Sequence, residues 1–157
     1  MSMSQPGYIH HIQWSVDSVK EVTTRLTEGW GGRLVAEREL EAAVMLGSSL
    51  MLLSEKQAVG RTSCLYPYLH CCHGHLCHHS ETVFNICLEV GDVAQVAERM
   101  AGRGSRVVVS PCTISCQEGR IQFALVSSPC ENILHSLVNT KHFHGTFLPG
   151  FSKGGVV

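Results

Sequence analysis

The residues with the clearest potential for chemistry lie in one short run, 70–79, which begins at His70 and ends at His79. The run holds eight histidines and cysteines, and imidazole and thiolate are the ligands that Zn(II) and Cu(I) prefer. Structural zinc sites usually pair two ligand couples across a folded spacer, whereas these ligands crowd into one segment. We therefore expect a connector loop of drifted composition, and leave open whether the cluster binds zinc or copper.

As redox or metal sites, individual cysteine pairs give weaker signals than the run as a whole. Adjacent Cys71 and Cys72 form only a strained disulfide and lack the Cys-x-x-Cys spacing of redox sites. Cys112 and Cys116 stand four apart in a stretch that is rich in loop residues, where we expect ordinary packing or exposure. Cys87 falls in an apolar strand pattern and is predicted to lie in the core. Without a visible signal peptide, all eight cysteines are expected to be reduced.

Carboxylates and aromatic residues offer further candidates. Glu37, Glu39 and Glu41 alternate as on a strand, and we predict that they form one solvated face. Catalysis by paired carboxylates would require a partner in a cleft, which the sequence does not identify. Trp14 and Trp30 flank the first predicted helix and are interpreted as core or interface aromatics. The sequence contains no glycine-rich phosphate loop and no nucleophile elbow.

Composition limits the classes of partner. The 157 residues are 44% apolar and 16% charged, with a formal charge of −1. This balance favours a globular domain and gives no reason to expect nucleic acid or an anionic membrane. The apolar runs are far shorter than the roughly 20 residues that span a bilayer, so we expect a soluble protein without a membrane span. The first eleven residues show no secretory or Arg-rich targeting pattern.

A repeat of about 74 residues organises the chain. Tyr8–Val16 is a strand pattern, with Asp17 as predicted N-cap and a helix over 18–28. The same order returns as a strand over 82–90, Asp92 as N-cap and a second helix. At this offset like residues pair: Ile12 with Ile86, Val16 with Val90, Val19 with Val93, Val22 with Val96 and Leu26 with Met100.

Each predicted helix is followed by three strand patterns. They cover 33–39, 42–46 and 49–53 in the first half, then 106–109, 120–126 and 133–138 in the second. Each half therefore reads βαβββ, which predicts an α+β protein. Because one βαβββ unit leaves a sheet face and edge uncovered, we expect the two copies to pair into one curved mixed sheet around a cavity.

The same patterns suggest the domain boundaries. We predict one domain over 8–151, flanked by tails at 1–7 and 152–157. Within it lie repeat one (8–55), a connector (56–81), repeat two (82–138) and an exit segment (139–151). The Pro149-Gly150 turn in the exit segment, which we expect to be flanked by exposed aromatics, is interpreted as leading toward a linker.

Three stretches of the second half carry a family resemblance. Residues 83–90, 120–129 and 145–151 together resemble the N-terminal half of the 4-hydroxyphenylpyruvate dioxygenases, members of the vicinal oxygen chelate superfamily. The Val-Ser-Ser-Pro segment at 126–129 brings the chain nearer to the dioxygenase-like proteins, relatives linked to the ubiquinone head group. The resemblance covers roughly residues 8–151.

The resemblance allows the family's iron site to be checked position by position. The catalytic module of the family holds Fe(II) with two histidines and a glutamate on strands. The corresponding positions here are His11, Asn85 and, approximately, Ser136. Since only His11 matches, we predict no catalytic, cofactor-binding or metal-binding residue in this chain. His11 is interpreted as a hydrogen-bonded strand residue.

The resemblance implies that the chain is the half of an iron oxygenase that lacks the metal and is inactive alone. Its partner would be a C-terminal catalytic module of the same protein, acting with Fe(II) and dioxygen on an aromatic 2-oxo acid. The product from 4-hydroxyphenylpyruvate would be 4-hydroxymandelate or homogentisate. The nearer relatives imply a mitochondrial location and the dioxygenases a cytoplasmic one; we favour the mitochondrion.

Two other functions remain open. The chain can be a free-standing small-molecule or metal-binding vicinal oxygen chelate protein that dimerises to complete its surface. It can also be a degenerate structural paralogue with an interaction role only. The sequence does not decide the oligomeric state, and a homo-oligomer is one of the open alternatives.

Overall fold

The computed structural model describes residues 7–56, 81–130 and 132–155. The chain divides into two compact units. The first-repeat unit comprises His11–Phe84 and Gly145–Val157, and the second-repeat unit comprises Met1–His10 and Asn85–His144. The His/Cys cluster at 70–79 and most of the predicted connector lie outside the described residues. Within those residues, no helix has the length and apolar character needed to cross a membrane.

The first repeat has the predicted βαβββ order. Its elements are β1 (Tyr8–Val16), α1 (Val19–Thr24) with a π-helical turn at Arg25–Gly29, β2 (Arg33–Arg38), β3 (Glu41–Leu46) and β4 (Ser49–Glu55). The strands are ordered β1-β4-β3-β2. β1 runs parallel to β4, and the other two pairs are antiparallel.

The second repeat has the same order of elements. Its elements are β5 (Thr82–Glu89), α2 (Val93–Gly102), β6 (Val107–Cys116), β7 (Gly119–Ser127) and β8 (Leu134–Asn139), with strand order β6-β7-β8-β5. Trp14 pairs with Leu53 in the first repeat, and Leu88, 74 positions after Trp14, pairs with Leu137. The prediction of an α+β fold built from two βαβββ modules is confirmed.

The apolar faces of the helices pack as predicted. In the first repeat, the residues of α1 and the turn after it pack against one face of the sheet, around buried Val16, Leu26, Val44 and Leu53. In the second, α2 packs in the same way around Val93, Ala97, Val126 and Leu137, among others. The strands of each repeat therefore have one face covered by the helix of that repeat; we call the opposite face the helix-free face.

The two helix starts differ from expectation in one residue. The Asp92 side chain accepts a hydrogen bond from the Gln95 N–H at 3.0 Å, as predicted for an N-cap. In the first repeat the cap is Ser18, whose hydroxyl accepts from the Glu21 N–H at 3.2 Å. The prediction of Asp17 as the N-cap was therefore wrong by one position. The residue 74 positions before Asp92 is Ser18, so the repeat itself points to the observed cap.

Strand β6 is longer than predicted. The expected strand stopped at 109, before Pro111, yet β6 continues to Cys116. Among the described residues it pairs only with β7, and a proline is tolerated on such an edge strand because the missing N–H would point away from the sheet. Cys112 and Cys116 consequently lie on a strand and not in a loop; Cys112 is exposed and Cys116 half-buried.

The segment predicted as a C-terminal tail contains a short strand. β9 (Ser152–Lys153) pairs antiparallel with β2, aligning Glu37 with Ser152 and Ala36 with Lys153. The Gly154 N–H also donates to the Val35 carbonyl at 3.1 Å. These bonds cover the otherwise unpaired outer edge of β2.

Candidate functional site

The helix-free face of the first repeat is built on alternation along β1. Trp14 and Val16 point toward α1, so the intervening residues His11, Gln13 and Ser15 point to the helix-free face. All three are buried. Three polar side chains removed from water on one strand are unusual, because burying polar groups is unfavourable unless they find partners.

Four residues form a connected polar network on this face. Gln13 Nε2 donates to Ser54 Oγ at 3.0 Å, and Ser54 Oγ donates to Glu41 Oε2 at 2.7 Å. Arg38 Nε lies 3.0 Å from Glu41 Oε1, within ion-pair distance but without hydrogen-bond geometry. We call Gln13, Arg38, Glu41 and Ser54 the Glu41 network.

Glu41 corrects the prediction of a solvated acidic face. Only 3% of this residue is exposed. The chain reverses at Glu39 and Leu40, where Leu40 has φ +62°, so Glu41 pairs with Arg38 and shares its face. Burial raises the pKa of the Glu41 carboxyl, and the Ser54 hydrogen bond and the Arg38 charge partly offset that effect. The neighbours of Glu41 are Arg38 and Ser54, neither of which is a second carboxylate for paired-carboxylate catalysis.

The closing Phe147–Phe151 region contacts this face and does not point away from the domain. The Phe147 ring contacts His11 edge-on, with ring centroids 5.1 Å apart, and Phe151 contacts Phe147 at 4.9 Å. The Arg38 guanidinium lies 5.3 Å from the Phe151 ring centroid. Leu148 is fully buried. The expectation of exposed aromatics around the Pro-Gly turn is wrong, since both rings are half-buried.

The second repeat carries a different polar pair on its helix-free face. Asn85 Nδ2 lies 2.9 Å from Ser136 Oγ, and Asn85 Oδ1 accepts from the Ser136 N–H at 3.0 Å. Both residues are completely buried. The two positions that the resemblance aligned with iron ligands are thus neighbours in the fold, and here they are occupied by a neutral amide and a neutral hydroxyl that bind each other.

These residues do not fit an Fe(II) site. Fe(II) in a facial triad needs an imidazole and a carboxylate where this chain has Asn85 and Ser136. A cation bound at this point would have to break the hydrogen bonds between Asn85 and Ser136. In return, neither residue would offer it a negatively charged ligand atom. The Cys112 thiol is no better placed for chemistry, because desolvation raises its pKa and so disfavours the thiolate.

Sequence reasoning missed most of the Glu41 network. Gln13, Arg38 and Ser54 were not singled out, although polar residues at 11, 13 and 15 of an otherwise apolar strand were visible. These polar residues predict a network only when the register of the β2–β3 hairpin is known, because that register brings Arg38 and Glu41 together. The interpretation as core or interface aromatics fits Trp14, which packs against the core of the first repeat, whereas Trp30 is 77% exposed.

Curated relatives support the resemblance. The chain is 28% identical to a 4-hydroxyphenylpyruvate dioxygenase from Pyricularia oryzae over 162 residues, which is 92% of this chain and 38% of the relative. It is 30% identical to the 4-hydroxyphenylpyruvate dioxygenase-like protein from Rattus norvegicus, over 90% of this chain and 37% of the relative. The chain thus spans under two fifths of these relatives and matches their N-terminal part. No protein-family model matches it.

Solved structures support the fold. A mutant of 4-hydroxymandelate synthase from Streptomyces coelicolor matches 96% of this chain and 42% of its own, with a TM-score of 0.71 and 16% identity. A glyoxalase/bleomycin resistance protein/dioxygenase superfamily member from Vibrio splendidus 12B01 matches 85% of this chain and 98% of its own, with a TM-score of 0.58 and 12% identity. The chain therefore has the vicinal oxygen chelate fold.

Proposed function

We propose that this chain, which resembles the N-terminal part of 4-hydroxyphenylpyruvate dioxygenases and their like proteins, is the non-catalytic module of a two-module oxygenase. The observation that carries the proposal is the Asn85–Ser136 pair. It occupies two positions at which a catalytic module of this fold would need a metal-binding imidazole and a carboxylate.

The first repeat supports the same proposal. Its helix-free face carries the Glu41 network and is contacted by the rings of Phe147 and Phe151. A face occupied by the chain's own side chains serves packing better than substrate binding, because a ligand would have to displace the half-buried aromatic rings that contact it. The module would then act as a rigid support for the catalytic module of the same protein.

The chemistry of the whole protein follows by analogy. The full protein would use Fe(II) and dioxygen to oxidise an aromatic 2-oxo acid with loss of carbon dioxide, at its C-terminal module. From 4-hydroxyphenylpyruvate the product would be 4-hydroxymandelate or homogentisate, serving tyrosine-derived metabolism and ubiquinone head-group synthesis. We place the protein in the mitochondrion, with the cytoplasm as the alternative; immunofluorescence of the endogenous protein tests this placement.

The experiment that tests the proposal is an activity assay on the chain alone. Purified chain is incubated with 4-hydroxyphenylpyruvate, Fe(II) and ascorbate, and both acids are quantified by liquid chromatography and mass spectrometry. We expect no product above the protein-free control. Product above that control from the wild-type chain would overturn the proposal, and its loss in the Asn85→Ala variant would place the chemistry at the pair.

A second function is favoured by one observation. The chain covers 98% of the single-module protein from Vibrio splendidus 12B01, so this fold also occurs at the present length. In this alternative the protein is a free-standing dimer that binds a small molecule or a metal. Light scattering gives its mass, and metal analysis of the wild type and of a His75→Ala, Cys77→Ala variant tests the 70–79 cluster. A monomer without stoichiometric metal excludes this alternative.

A further inference from the structure

A cavity of about 300 Å³ opens in the second-repeat unit, where Gln122 and Asn139 pair across β7 and β8. Ala124 and Leu137, two residues away along the same strands, pack against α2. Alternation therefore places Gln122 and Asn139 on the face that α2 covers, opposite the buried polar pair of this repeat. The volume is at the lower end of the range for small-molecule sites, which begins at roughly 300 Å³.

Basic residues dominate the wall of this cavity. Arg120, Lys141 and His142 line it, and all three residues are exposed. Their side chains form no hydrogen bond or ion pair with any residue that the structure describes. A molecule that enters the cavity can therefore reach all three side chains.

One carboxylate shares the wall with these cations. Asp92 lies immediately before α2, and its Oδ1 accepts the Gln95 N–H at 3.0 Å as the N-cap. Such a cap sets the negative charge against the positively polarised start of the helix. The wall thus has two permanent cations, Arg120 and Lys141, against one carboxylate that the helix engages. This local surplus of positive charge, in a chain of formal charge −1, favours an anion.

Hydrogen bonds hold the backbone of the basic residues in place. The Arg120 N–H donates to the His142 carbonyl at 3.0 Å, which ties the start of β7 to the turn after β8. Asn139 Nδ2 donates to the Gly91 carbonyl at 2.9 Å, and Asn139 Oδ1 accepts from the Lys141 N–H at 3.0 Å. The backbone around the cavity is therefore fixed before a ligand binds, which lowers the entropy cost of binding.

Gly119 makes the approach of the two segments possible. Its φ is +118°, a conformation that residues with a side chain rarely adopt. A Cβ at this position would overlap the His142 carbonyl oxygen. Glycine therefore lets the start of β7 come close enough to the turn for the Arg120 N–H to bond the His142 carbonyl.

The three basic side chains suit a phosphate group. An arginine guanidinium presents paired N–H donors that match phosphate oxygens, a lysine ammonium adds a compact charge, and an imidazole ring donates at least one N–H. A phosphate ester carries about −1.5 to −2 charges and three acceptor oxygens, more than a carboxylate offers. We propose that this cavity binds a phosphate group, free or as the monoester of a small molecule, between Arg120, Lys141 and His142. The proposal needs neither iron nor a second module, so it stands apart from the proposed function.

Titrations of the full chain test the proposal. Inorganic phosphate and glycerol 3-phosphate are added separately to ¹⁵N-labelled protein at neutral pH and fixed ionic strength, with acetate as the comparison anion. We expect the amide resonances of residues 119–122 and 139–142 to shift to saturation, and both phosphates to bind about tenfold more tightly than acetate. The relative affinities of the two phosphates show whether the free ion or the monoester is preferred.

Three variants and a control complete the test. Arg120→Gln is expected to weaken phosphate binding about tenfold, and Lys141→Gln about threefold. Gly119→Ala keeps every charge but pushes the His142 turn away from β7, so we expect it to weaken binding as well. Arg103→Gln removes an exposed cation at the other end of α2 and leaves the affinity within about twofold of wild type.

The proposal is overturned if neither phosphate saturates the wild type, or if acetate binds as tightly as phosphate. It is also overturned if Arg103→Gln weakens phosphate binding as much as Arg120→Gln, because the anion would then sense only the overall charge. Should Gly119→Ala not fold, the wild-type titrations and the exposed Arg120 and Arg103 variants decide.

Discussion

The two repeats share their strand order but differ in how they bury polar groups. The first repeat buries an ionisable network, in which Glu41 is bound by Ser54 and Arg38. The second buries a neutral pair, Asn85 and Ser136, whose hydrogen bonds are directed at each other. The difference teaches that this fold accepts polar residues on the helix-free face if they satisfy one another, and that such residues need not form a metal site.

The largest effect is expected from breaking the charge pair of the first repeat. Arg38→Ala leaves the buried Glu41 carboxylate without its cation and removes the contact with Phe151. Removing one partner of a buried ion pair costs about 3–5 kcal/mol. Urea unfolding at pH 7 measures the loss, with Arg33→Ala, an exposed change on the same strand, as a control expected within about 0.5 kcal/mol of wild type.

A double variant separates the charge from the packing. In Arg38→Met, Glu41→Met no charge is left buried alone, and such replacements are often close to neutral in stability. We expect the double variant to be more stable than Arg38→Ala. If it is less stable, the network stabilises the fold by specific hydrogen bonds and not only by mutual neutralisation.

The second prediction concerns the pH dependence of stability. Burial lowers the pKa of His10 from 6.5 to about 4. The unfolded chain then binds more protons between those values, so the free energy of unfolding falls by up to about 3 kcal/mol as pH drops from 6.5 to 4. The raised pKa of Glu41 acts in the opposite sense, since its contribution is present at low pH and lost as pH rises. Comparison with His10→Gln isolates the histidine, and an unchanged slope in that variant would refute its role.

A smaller effect is expected from the neutral pair of the second repeat. Asn85→Ala and Ser136→Ala each leave a buried partner unsatisfied, at a cost of about 1–3 kcal/mol. Because the two residues bind each other, the double variant should lose clearly less than the sum. Chemical unfolding of the four proteins gives the coupling energy, and strict additivity would contradict the pairing.

The smallest effect is expected from Phe151. Phe151→Leu keeps an apolar side chain but removes the ring contacts with Phe147 and Arg38, at a cost of about 0.5–1.5 kcal/mol. Tyr8→Leu, at an exposed aromatic, is the control. Equal unfolding midpoints for the two variants would mean that the closing segment does not stabilise the first repeat.

Repetition made the fold predictable. The constant offset of like residues predicted the first strand and the helix of each half, and three strand patterns after each helix predicted the rest. The same offset would have assigned Ser18, the counterpart of Asp92, as the N-cap. Extension of β6 beyond Pro111 was missed because a proline signals a strand end unless the strand is known to lie at an edge. Edge position depends on topology, which local patterns do not contain.

The candidate site was only partly predictable. The resemblance located Asn85 and Ser136, and the structure places them side by side. The Glu41 network depends on a hairpin that turns through Leu40 at positive φ, a conformation that the leucine does not signal. Alternation across Glu37, Glu39 and Glu41 therefore suggested a single exposed face where the chain in fact reverses direction.

The central claim is that this chain is the half of an oxygenase without the metal. The most direct test is to sequence the transcript beyond the codon for Val157. The account predicts an open reading frame that continues into a second vicinal oxygen chelate module with two histidines and a glutamate at the ligand positions. A stop codon directly after Val157, or a second module without those three ligands, would contradict it.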